Sequence, residues 1–110
     1  MNQLPNYRKK REEKTPADIH NNKGVDFCVQ GKFDEGIAEF YKALRDNPNF
    51  PIAHFNRGLS FLNLRLEKSA IVDFETAFLL KRNFDELFAQ AEFDEDLIEF
   101  IESTFGISTR

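Results

Sequence analysis

The sequence predicts an all-α fold: a short α-solenoid of antiparallel helix pairs with a C-terminal helical cap. Three observations lead there. Residues 17–50 and 51–84 repeat with a period of 34 and share nine identities: His20/His54, Asn22/Asn56, Gly24/Gly58, Phe27/Phe61, Ile37/Ile71, Phe40/Phe74, Ala43/Ala77, Asn49/Asn83 and Phe50/Phe84. A fixed period in this range marks a repeat architecture, and 34 is the period of a paired-helix unit. Apolar residues recur at helical spacing in both units, and Gly and Pro fall where helices have to stop.

Residues 1–14 are polar and basic and carry no apolar stripe. They are expected to form a flexible arm, with some helix from Tyr7 on. Thr15-Pro16-Ala17-Asp18 reads as a helix start, with Thr at the N-cap and Pro at the first helical position. Ile19, Gly24, Phe27 and Cys28 follow at helical spacing to about Gln30, and Gly31 ends the helix. Phe33-Asp34-Glu35 opens a second helix with Ile37, Phe40, Tyr41 and Leu44 on one face. It stops before Pro48, which disfavours helix at the residue preceding it.

The second unit repeats the plan. Pro51 opens a helix carrying Phe55, Gly58, Leu59, Phe61 and Leu62. A break is expected near Arg65-Leu66. The following helix carries Ile71, Phe74, Ala77 and Phe78 and runs to about Arg82. After residue 84 the register fails, because Glu92 and Glu95 fall where Gly58 and Phe61 sit one period earlier, and charge is costly to bury there. The third unit, residues 85–110, is therefore expected to be degenerate. It should hold a short helix from Asp85 to Gln90 and a second from Asp94 to Thr104. Leu97, Ile101 and Phe105 form that second helix's stripe, Phe93 and Ile98 a hydrophobic staple, and Gly106 its stop.

Composition narrows the function. The chain has 110 residues and a net charge of −4, which disfavours a general nucleic-acid binder. Charge is uneven: residues 1–16 carry five Lys or Arg against two Glu, whereas residues 85–102 carry eight Asp or Glu and no Lys or Arg. The single Cys28 excludes an intrachain disulfide. The basic N-terminus without an apolar run and the lack of a long apolar stretch make a cytoplasmic protein the expectation.

These residues resemble the tetratricopeptide repeat (TPR) family. The first repeat, 15–50, reads His20, Gly24, Phe27, Gly36, Phe40, Ala43, Pro48. The second, 51–84, reads His54, Gly58, Phe61, Ala70, Phe74, Ala77 and lacks the closing Pro. The resemblance implies two full TPR-like repeats plus a capping segment. It also implies a concave groove lined by the first helix of each repeat, mapped onto Asn21, Val25, Cys28, Val29, Phe55, Leu59, Leu62 and Asn63. Helical spacing independently puts Val25, Cys28 and Val29 on one face, and Phe55, Leu59, Leu62 and Asn63 on another.

No catalytic chemistry is legible. The chain lacks a phosphate loop, a His-Glu-x-x-His motif, paired Cys and a nucleophile elbow. Asp94, Asp96 and Glu99 begin like a calcium loop, but Glu99 stands in place of the required Gly and Phe105 in place of the bidentate Glu. His20 and His54 share one repeat position and read as bulky packing residues rather than a metal pair. Cys28 reads as a buried thiol. No cofactor and no metal are expected.

The predicted function is a non-catalytic protein–protein interaction module, a small adaptor or scaffold binding an apolar or amphipathic peptide in the groove. The alternative is a homo-oligomer, such as a homo-dimer, assembled through the groove or the stack ends; the chain's own termini are a third occupant. The partner is another protein of unknown identity. A nucleic acid or membrane is not expected; only the Arg8-Lys9-Lys10-Arg11 cluster could serve one. The family's carboxylate clamp grips the acidic C-terminus of chaperones. Asn56 matches its second-repeat Asn, but Asn21, Val25, Glu86 and Gln90 stand at its other positions. Gripping a carboxylate needs cationic donors, so carboxylate-clamp chaperone binding is not expected.

Overall fold

A computed structural model describes residues 8, 10–83 and 95–106. Within these the chain is all-helical. Five helices follow in order: α1 (Pro16–Val29), α2 (Phe33–Asp46), α3 (Pro51–Asn63), α4 (Glu67–Asn83) and α5 (Glu95–Phe105). α1 packs on α2, α3 on α4, and α2 on α3, the neighbour order of a stack of helical hairpins.

Local chemistry sets the boundaries. Thr15 closes a capping box: its Oγ1 accepts from the Asp18 N–H at 3.2 Å, and Asp18 accepts from the Thr15 N–H at 3.0 Å. At the other end of α1, Gly31 takes φ 78°, and the Lys32 N–H reaches back to the Phe27 carbonyl at 2.9 Å. That is a left-handed helix stop, the geometry glycine adopts most readily. One period later Arg65 takes φ 62° and the Leu66 N–H reaches the Phe61 carbonyl at 2.9 Å. The break near residue 65 thus copies the turn at Gly31 with a side chain in place. α2 ends at Asp46, ahead of Asn47 and Pro48.

The core is built from the repeated aromatic and small positions. Phe40 and Phe74 are fully buried. A Cβ at Gly24 would stand 2.7 Å from Cδ1 of Phe40, and one at Gly58 2.7 Å from Cε1 of Phe74. Each glycine therefore makes room for the ring from the second helix of its own pair. Gly36 is equally tight, since a Cβ there would meet Cys28 Sγ at 2.5 Å. Tyr41, expected on one face with Ile37, Phe40 and Leu44, is 61% exposed while Phe40 and Leu44 are buried. A helix packed on one side by α1 and on the other by α3 has no remaining neighbour for that position.

α5 runs one residue later than the expected Asp94–Thr104 and stops at Gly106, φ 65°. Ile101 is fully buried in the core, with Phe100 and Phe105 packed against it, and the Phe105 and Phe74 rings lie 5.6 Å apart. The expected helix from Asp85 to Gln90, the Phe93–Ile98 staple, Leu97 and the clamp positions Glu86 and Gln90 lie outside the residues and side chains described. Among the described residues no helix is long and apolar enough to cross a membrane.

Candidate protein-binding groove

The seam between α1 and α3 is organised around three asparagine amides. Asn56 on α3 donates to Asn21 Oδ1 on α1 at 2.8 Å, and both residues are fully buried. Asn21 donates in turn to Asn22 Oδ1 at 3.3 Å. Asn22 then meets the basic arm: its Oδ1 accepts from the Arg11 N–H at 2.8 Å and its Nδ2 donates to the Arg11 carbonyl at 2.6 Å. A second bond from Nδ2 reaches Glu13 at 3.2 Å. An amide offers two donors and two acceptor lone pairs, so Asn22 is saturated. It binds the backbone of Arg11 from both sides, as a neighbouring strand would.

The described part of the arm runs antiparallel to α1. Lys14 N–H bonds Asp18, Arg11 meets Asn22, and Lys10 Nζ pairs with Asp26 at 2.6 Å. Farther along, Arg8 donates to Ser60 Oγ at 3.3 Å and to Asn63 Oδ1 on α3. Its guanidinium stands 5.4 Å from the centroid of Phe33, while that of Arg11 stands 5.8 Å from Phe50. Burial lowers the pKa of Arg8. Cys28 is buried with its Sγ 3.1 Å from Ser60 Oγ. Burial pushes its thiol up, and the Ser60 bond and Arg8 offset only part of that rise.

The eight residues assigned to one groove from the sequence divide into groups. Asn21, Val25 and Cys28 are buried, and Leu62 and Asn63 are half-buried. Phe55 and Leu59 belong to the core instead, where Phe55 packs 5.2 Å from Phe74 and 5.6 Å from Phe78. Val29 is 67% exposed. Sequence reasoning missed Arg8, Lys10, Arg11, Asn22, Asp26 and Ser60. The Asn22/Asn56 identity was the available signal: a polar residue kept at a repeat position has a polar partner.

The histidines sit away from this line. His20 Nδ1 is 3.1 Å from Glu39, and His54 Nδ1 is 3.3 Å from Asp73. Among the described residues no group of three or more His, Cys, Asp or Glu could hold a metal.

Stacked helical hairpins define a helical-repeat protein. The chain carries the tetratricopeptide repeat: the TPR-repeat family model matches residues 24–64. TPR repeats mediate protein–protein interaction and are not catalytic modules. The chain is 32% identical over 85 residues to the Hsp70-Hsp90 organising protein of Plasmodium falciparum (isolate 3D7), a match covering 74% of this chain and 15% of that protein. It is 36% identical over 62 residues to the TPR repeat-containing thioredoxin TDX of Oryza sativa subsp. japonica, covering 56% of this chain and 20% of that protein. The chain thus spans a small part of either relative. No solved structure matches it significantly.

The similarity to a protein named for Hsp70 and Hsp90 overturns the expectation that this chain binds no chaperone through a carboxylate clamp. That expectation rested on a missing Asn at Val25 and missing cations at Asn21, Glu86 and Gln90. Glu86 and Gln90 are outside the described residues, and Arg8 brings a cation from the arm to Asn63 on α3. The identity of a few helix positions does not decide which donors a groove presents.

Proposed function

We propose that this chain is a protein–protein interaction module whose concave groove takes an extended peptide segment alongside α1. The observation that carries the reading is the bidentate hold of Asn22 on the Arg11 backbone. Backbone bonds of this kind give affinity without regard to sequence, and the side-chain pockets give specificity. Asn21, Val25, Cys28, Leu62 and Asn63 line the path, Val29 stands at its rim, and Phe55 and Leu59 support it from the core. The similarity to an Hsp70-Hsp90 organising protein makes chaperone C-terminal tails the first partner class to test.

The experiment is fluorescence anisotropy with labelled decapeptides ending in Glu-Glu-Val-Asp. Saturable binding that Asn22→Ala weakens about tenfold, a loss of about 1.4 kcal/mol, supports the groove. Binding indifferent to Asn22→Ala moves the interaction to another surface. Absence of binding assigns the groove to a different class of peptide.

A further inference from the structure

We infer that Arg8 and residues 10–14 form an autoinhibitory strap, which closes the α1/α3 face in the free chain and unseats when a partner segment enters. The inference rests on the groove reading above and adds its regulation.

The strap and the partner need the same groups. Asn22 commits its Oδ1 to the Arg11 N–H and its Nδ2 to the Arg11 carbonyl and Glu13. A foreign backbone can take that place only after Arg11 leaves it. Asp18, Asn22 and Asp26 recur every fourth residue and so form one stripe of α1. The Lys14 N–H, the Arg11 backbone and Lys10 Nζ fill that stripe in turn. Arg8 then crosses to α3, where Ser60 and Asn63 accept from it, and it also bonds the Cys28 thiol. The segment thus bars about two turns of α1 and bridges the gap to α3.

The hold is polar throughout. Residues 10–14 are exposed and, like Arg8, all charged, so they add no apolar side chain to the core. Lys10 and Asp26 are both about half exposed, and solvent screens such a pair. Among the described residues no carboxylate pairs with Arg8, so its half-buried charge gives up water for neutral groups. A segment fixed in this way opens locally at little cost. It stays seated because its tether to α1 at Thr15 is short, which gives it a high effective concentration at the face. A partner therefore binds with an affinity reduced by the fraction of molecules whose strap is open.

The test compares the full wild-type chain with a full-length variant, Arg8→Ala with Arg11→Pro, that changes only the strap. Proline lacks the N–H that Asn22 accepts. Fluorescence anisotropy with the labelled Glu-Glu-Val-Asp decapeptide should show the variant binding at least about tenfold tighter than wild type. Equal binding overturns the strap and leaves the groove reading standing. Weaker binding overturns it too, and makes the arm part of the binding site. In the variant background Asn22→Ala should weaken binding; no change means that the partner does not compete for Asn22, which overturns the strap. If neither chain binds, the groove reading fails for that peptide class and Cys28 decides on the strap. Its thiol should react with a soluble aromatic disulfide at least about tenfold faster in the variant, because reactivity follows access. Equal rates overturn the strap. If the variant does not fold, hydrogen exchange on the wild-type chain decides. Slow exchange of the Arg11 amide supports the strap, and exchange at the rate of an unstructured amide overturns it.

Discussion

The imidazole of His54 lies 3.3 Å from the carboxylate of Asp73, and one period earlier His20 and Glu39 stand in the same relation at 3.1 Å. Both pairs tie the first helix of a hairpin to the second. The second pair is more deeply set: Asp73 is buried, Arg57 binds it through two bonds of 2.8 Å, and His54 Nε2 reaches the Pro48 carbonyl at 3.0 Å. Glu39 has a single added cation, Lys42 at 2.9 Å. The histidines therefore serve as polar staples between helices. Reading them as bulky packing residues was correct in location and incomplete in chemistry.

Asp73→Asn should cost about 2 kcal/mol of stability, because it leaves Arg57 and His54 facing a neutral amide in a buried setting. Glu39→Gln should cost less than about 1 kcal/mol, since Lys42 is half exposed and solvent screens the pair. Urea unfolding of the two variants checks the order, and an equal loss would show that burial does not set these energies.

Glu39 also predicts a pH dependence. Burial alone would raise its carboxyl, but the hydrogen bonds and charges of Lys42 and His20 outweigh that and hold it below the ordinary 4.5. A carboxylate depressed in the folded state stabilises fully above its unfolded value and loses that contribution as pH falls through the folded value. The stability gap between wild type and Glu39→Gln should accordingly be constant above about pH 5 and shrink in more acidic solution. Chemical denaturation at a series of pH values measures it, and a gap that widens on acidification would reverse the sign.

Gly24→Ala and Gly58→Ala should each destabilise by about 1–3 kcal/mol, because the added methyl meets the ring of a fully buried phenylalanine that has nowhere to retreat. The double variant should be close to additive, as each glycine contacts a different ring. Thermal melts followed by helical circular dichroism report the loss.

Arg65→Asn should stabilise by about 0.5–1 kcal/mol. Position 65 holds the left-handed conformation that Gly31 holds one period earlier, and asparagine tolerates it better than arginine does. A lower unfolding midpoint would mean that the Arg65 side chain contributes more than its backbone strain costs.

Much of the fold was legible because its determinants are local. The Thr15-Pro16-Asp18 start and the Gly31 stop are written within one helix. A 34-residue period exposes them by comparison of the chain with itself. The break expected near Arg65-Leu66 falls there too.

The groove was legible only in part. Helical spacing places Phe55, Leu59 and Leu62 on one face but does not say what covers it. Burial took Phe55 and Leu59 into the core that also holds Ile101, 42 or more residues further along the chain. The arm, expected to be flexible and named only as a third possible occupant of the groove, lies against α1 because Asn22, Asp26 and Asn63 each offer a partner at the right depth. The sequence by itself determined the repeat and its helix ends, products of local interactions within a hairpin. Only the tertiary structure decided which apolar residues enter the core and which polar groups meet the arm. Those pairings join segments as far apart as Arg8 and Asn63, and no periodicity encodes a contact made by a segment that lies outside the repeat.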